Sequence, residues 1–92
     1  MLFEWDTRKA ALNAAKHGVP FEYASRVFMD PHRLDSEDTR LDYREERRIT
    51  IGKIEGRLFV VAYTPRGEVI RLISARKANE REQRQHDEKL ST

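Results

Sequence analysis

Residues 58–76 read LFVVAYTPRGEVIRLISAR. Leu58–Tyr63 is the longest apolar run in the chain, and Pro65-Arg66-Gly67 has the composition of a turn between two strands. An apolar run without alternation predicts a central strand covered on both faces. The segment after the turn alternates: Val69, Arg71, Ile73 and Ala75 are expected on one face, and Ile70, Leu72, Ser74 and Arg76 on the other. Arg66 at the turn and Arg76 at the strand end are then free to meet an anion. Arg71, inside the strand, is expected to organise structure, with Glu46 as its partner.

Outward from this hairpin, Arg48–Ile54 predicts a third strand, with Ile49 and Ile51 pointing one way and Arg48 and Thr50 the other. Glu55-Gly56 is a hairpin turn, so the strands form an antiparallel meander. Leu2–Trp5 reads as a short strand. Asp6 caps a helix over residues 7–17, and Gly18 ends it in the left-handed conformation. Pro20 starts a second helix, whose apolar stripe is Phe21, Ala24, Val27 and Phe28, and Asp30-Pro31 stops it. Residues 31–45 are charged, with Leu34 and Leu41 the only aliphatics, and predict a weak edge strand and a loop. Residues 78–90 favour a helix but show no apolar stripe, so that helix is expected to be exposed or partner-dependent. The expected fold is a single α+β domain over residues 1–92. An antiparallel sheet of about four strands carries two N-terminal helices on one face, with a C-terminal helix besides.

Composition restricts the function classes. The 92 residues are 38% hydrophobic and 37% charged, and there is no cysteine for a disulfide or a thiolate metal site. No basic, apolar leader opens the chain and no run is long enough to span a bilayer, so a cytoplasmic protein is expected. The net charge is only +2, yet residues 49–76 hold five basic and two acidic side chains. A basic sheet with balanced surroundings suggests an anionic partner such as RNA phosphate.

Several strings in order, FEWD at 3–6, Lys9, Asn13, KHG at 16–18, FEYA at 21–24, VFMD at 27–30, ERR with IG at 46–52, YTPRG at 63–67 and RLISARKA at 71–78, resemble the BrnT family of type II toxin–antitoxin toxins. The resemblance covers nearly the whole chain. It implies a RelE-like fold and a ribonuclease that blocks translation. It also implies neutralisation by a BrnA-like antitoxin with a ribbon-helix-helix domain, through which alone the complex would meet operator DNA. The chain departs from the family at Pro20, where a Ser or Asp cap is usual, and at His86, where a Tyr is expected.

RNA cleavage without metal or cofactor needs a base for the 2′-hydroxyl, cations for the phosphorane-like charge, and an acid for the leaving oxygen. Arg66 and Arg76 are the candidate catalytic cations and phosphate ligands; otherwise Arg66 is a solvated turn residue, and Arg76 flanks a strand paired with Glu80 or Glu82. His17 can transfer protons and Lys16 can hold phosphate, although both also suit the last turn of a helix. Glu46 is a candidate base, or orients an arginine. Arg47 is an RNA-binding candidate by the family resemblance, whereas strand parity sets it on the Ile49/Ile51 side and favours Arg48 instead. His17, His32 and His86 show no metal-ligand spacing. A non-catalytic RNA-binding module and a protein-interaction partner are the competing readings.

Overall fold

The structure is a computed structural model, and it describes residues 1–91. In chain order, β1 (Leu2–Glu4) leads to α1 (Thr7–His17), α2 (Phe21–Ala24) and a 3₁₀ turn over Ser25–Met29. There follow β2 (Leu34–Glu37), β3 (Arg48–Ile54), β4 (Arg57–Arg66), β5 (Val69–Lys77) and α3 (Glu80–Leu90). The sheet order is β1-β5-β4-β3-β2. The sheet has five strands rather than about four, and it is mixed, because β1 runs parallel to β5. A strand that leaves the sheet through α1 and α2 can return beside a later strand in either sense, so alternation within LFE carries no information on its direction.

The helices form where local chemistry allows. Asp6 accepts the Lys9 N–H at 2.9 Å, and Gly18 closes α1 at φ 71°. Pro20 offers no side-chain cap to α2, which is a single turn that tightens into the 3₁₀ segment. Glu55 and Gly56, at φ 51° and 80°, make the tight turn between β3 and β4. β4 extends through Arg66, so the next turn is Gly67-Glu68 and Arg66 lies in the strand, opposite Val69.

Phe21, Ala24, Val27 and Phe28 pack with Phe59, Val61, Tyr63, Leu72 and Ala75, so the N-terminal helices cover one face of the sheet. The opposite face holds a smaller cluster of Leu58, Val60 and Ala78, with Ile49 and Ile51 against it. Thus Ile49 and Ile51 point away from the main core, and the buried Thr50 points into it.

β5 departs from strict alternation. Ser74 pairs with Ala62, but Leu72 pairs with Tyr63, so Ile73 is an extra residue at a bulge. The bulge turns Ile70, Leu72 and Ala75 to the helix-covered face and Val69, Arg71, Ser74 and Arg76 to the other, which corrects the grouping expected from simple parity.

α3 lies on this second face and is ordered by a capping box between Asn79 and Glu82. One side chain replaces the missing apolar stripe: His86, 2% exposed, sits in a seam lined by Leu34, Ser36 and Ile51.

Candidate nucleic-acid interface

The second face gathers the arginines. The register sets Arg66, Arg71 and Arg76 on the side of Val60, Ala62 and Thr64. Just before β3, the Arg47 carbonyl accepts the Asp38 N–H at 2.7 Å, so the β2–β3 ladder continues and Arg47 falls beside Thr64 on this face. Arg48, one residue on, turns to the edge of the main core. Register therefore sets Arg47, and not Arg48, on the face that bears Ile49, Ile51 and the other arginines.

Most of these cations already hold carboxylates. Arg76 donates to both oxygens of Glu82 at 2.8 Å each. That pair raises the Arg76 pKa and lowers that of Glu82, the hydrogen bond being the main cause in each. Arg66 meets Glu45 at 3.2 Å and Glu4 at 3.9 Å, and Arg71 meets Glu4 at 3.5 Å, so the partner of Arg71 is Glu4 and not Glu46. Arg40 reaches over from the β2–β3 loop, close enough for its charge to oppose that of Arg76, and it holds Asp38 through two bonds of 2.9 and 2.8 Å. Arg47 differs. Its guanidinium carbon lies 3.8 Å from the centre of the Tyr43 ring, and its Nε is buried without a hydrogen-bond partner, as is Thr64 Oγ1 beside it.

The remaining candidates divide. Lys16 and His17 lie at the margin of this face, where α1 meets the edge of β5, in a shallow cavity shared with Ile73 and Ser74. Ser74 stands between Arg71 and Arg76 in the row. Glu46 lies elsewhere: it accepts from Arg48 at 3.1 Å, at the helix-covered side. There Arg48 Nε donates to Asp35 at 2.5 Å, and Asp35 also receives Arg33 at 2.8 Å and the Tyr63 hydroxyl. His86 occupies the seam under α3, with neither ring nitrogen hydrogen-bonded. Among the described residues no cluster of three or more His, Asp or Glu side chains is arranged to hold a metal ion, and no helix is long and apolar enough to cross a membrane.

Sequence reasoning passed over Tyr43, Thr64 and Arg40. Tyr43 left a trace, being the only aromatic residue in a charged stretch. Thr64 left none, because a hydroxyl next to an apolar run reads as ordinary strand composition.

Chemically, this face is a row of guanidiniums on a rigid sheet, flanked by carboxylates and by an imidazole at its margin. Such a row can bind successive phosphates and stabilise charge on one of them. No curated protein matches the chain. A family model described as "Ribonuclease toxin, BrnT, of type II toxin-antitoxin system" matches residues 5–82, a span that includes the whole row, and the chain belongs to that family of ribonuclease toxins.

Proposed function

We propose that this single RelE-like toxin domain is a metal-independent endoribonuclease that cleaves mRNA and so inhibits translation. The observation that carries this reading is the convergence of Arg47, Arg66, Arg71 and Arg76 on the sheet face opposite the N-terminal helices. RNA phosphates lie along the row. Arg66 and Arg76 stabilise the phosphorane-like charge, while Arg47 and Lys16 hold flanking phosphates. The resident ion pairs do not forbid this: the pairs of Arg66 are half-exposed and of the kind that contributes only about 0.2–1 kcal/mol, and at Arg76 a phosphate replaces one charge-assisted bidentate partner by another.

Proton transfer falls to groups bordering the row. His17 is one, at the Ser74 margin. Glu82 is another, since its carboxylate already touches Arg76 and can accept the 2′-proton once phosphate replaces it there. Glu46 acts at one remove, holding Arg48 at the root of β3. A BrnA-like antitoxin with a ribbon-helix-helix domain neutralises the toxin and brings the complex to operator DNA.

The test is RNA cleavage by folded protein in EDTA. Cleavage is expected to persist, and Arg66→Ala or Arg76→Ala to lower its rate roughly 100-fold or more. RNA binding without cleavage in a verified folded preparation would instead assign the chain as a non-catalytic RNA-binding module.

A further inference from the structure

The loop between β2 and β3 is organised around a buried carboxylate. At its neck the Asp38 N–H donates to the Arg47 carbonyl at 2.7 Å. The Asp38 side chain is fully buried and accepts Arg40 Nε and Nη2 at 2.9 and 2.8 Å, the Arg40 N–H at 3.2 Å, and the Tyr43 hydroxyl at 3.1 Å. Those bonds, the Arg40 side chain first, hold its pKa well below the usual carboxylate range, so it stays an acceptor. Further along, Asp42 Oδ1 takes the Arg44 N–H at 3.0 Å, and Arg44 adopts φ 59°, a left-handed turn that brings the chain back toward β3.

This ties the Tyr43 ring at one end to Asp38 and at its face to Arg47, whose guanidinium carbon is 3.8 Å from the ring centre. Among the described residues of the row, Arg47 is the cation without a carboxylate: Arg40, Arg66, Arg71 and Arg76 each have one. A ring face attracts a guanidinium without neutralising it, whereas a carboxylate would do both. Beside Arg47, the Thr64 hydroxyl and the Arg47 Nε are the polar atoms of this patch that the protein leaves unsatisfied.

We propose that Tyr43, anchored by Asp38, is a positioning residue that presents Arg47 as the uncompensated phosphate anchor of the arginine row. Phosphate reaching Arg47 displaces no ion pair, so this is where an RNA strand gains most on first contact. The anchor and the ring that holds it lie in the β2–β3 loop, and the cations assigned to the reacting phosphate lie on β4 and β5. Binding and chemistry are therefore separable by mutation. The proposal rests on the ribonuclease reading above for the identity of the anion.

The test is a salt titration of binding to a labelled 2′-O-methyl oligoribonucleotide, which cannot be cleaved. The full chain is compared with Arg47→Ala, Tyr43→Leu, Tyr43→Phe and each Tyr43 variant combined with Arg47→Ala, after their thermal midpoints have been recorded. Arg47→Ala is expected to weaken binding roughly tenfold and to flatten the log–log salt slope by about 0.7, the contribution of one contact to a single strand. Tyr43→Leu reproduces most of both changes, and the Arg47→Ala/Tyr43→Leu double variant is no weaker than Arg47→Ala alone. Tyr43→Phe keeps the ring and the slope, and its small loss of affinity vanishes in the Arg47→Ala background. That last comparison carries the test if Tyr43→Leu does not fold. A salt slope unchanged in folded Tyr43→Leu, or losses that add in either double variant, overturn the proposal and leave the ribonuclease reading intact. A wild-type chain with no affinity for the oligonucleotide overturns both.

Discussion

Asn13 shows how much a single side chain can settle. β1 covers the outer edge of β5 only from Val69 to Arg71, so the N–H and C=O of Ala75 face outward without a strand partner. Asn13, buried on α1, supplies one: its Oδ1 accepts the Ala75 N–H at 3.1 Å, and its Nδ2 donates to the Ala75 carbonyl at 2.9 Å and to the Val19 carbonyl at 3.1 Å. An amide matches this pair because it carries one acceptor and two donors. The same bonds tie α1 to the strand that bears Arg71 and Arg76, and so fix the Lys16-His17 margin against the row. Asn13→Ala leaves these buried backbone groups unsatisfied, at about 1–3 kcal/mol each. With three such groups, we expect a loss of at least about 3 kcal/mol in urea unfolding. A loss below about 0.5 kcal/mol would show that the edge is not held this way.

At the scale of elements, α3 is attached to the sheet through His86 in its seam and Glu82 on Arg76. Glu82 also accepts the Asn79 N–H at 2.9 Å, so one carboxylate both starts the helix and joins it to the sheet. Its pKa is held below the ordinary 4.5, mainly by Arg76. The unfolded chain therefore takes up the proton first as pH falls. The stability that Glu82 contributes is complete above 4.5 and is lost as pH drops below that value through the lower folded pKa. Glu82→Gln is expected to lower stability at pH 7 by about 1 kcal/mol and to flatten the acid limb of a stability–pH curve. An acid limb as steep as that of wild type would assign the loss to other carboxylates, such as Asp30, whose pKa is also lowered. α3 shows what periodicity does not reveal: a helix anchored through a histidine and an ion pair has no stripe to find. The meander, both caps of α1 and the helix-covered core were legible, because alternation and capping chemistry are local. The direction of β1 and the bulge at Ile73 were not, since both are set by packing between distant segments. The bulge decides the site, because without it Arg71 and Arg76 would lie on opposite faces. The cations at 47, 66 and 76 could be named from the sequence, whereas their common face and the role of Tyr43 depend on register and on a loop closed by Asp38.

For the whole molecule, a net charge of +2 conceals a segregation. The N-terminal helices and the core they cover occupy one side of the sheet, and the arginine row occupies the other, held mostly by carboxylates that are themselves partly exposed. Such pairs keep a cationic face soluble at little energetic cost, and they exchange readily for a stronger anion. We expect an antitoxin and an RNA strand to compete for the same cations. We expect the antitoxin to cover the row with acidic side chains of its own, or to draw α3 off it and occupy the face beneath. The free protein treated with an arginine-selective dicarbonyl should be labelled at Arg47 and Arg66, and the complex with its antitoxin should be protected there by about tenfold or more. Arg57, exposed at the far end of β4, serves as the internal control. Equal labelling of Arg47 and Arg66 in the free and bound states would show that inhibition works away from this face, even if the complex is tight.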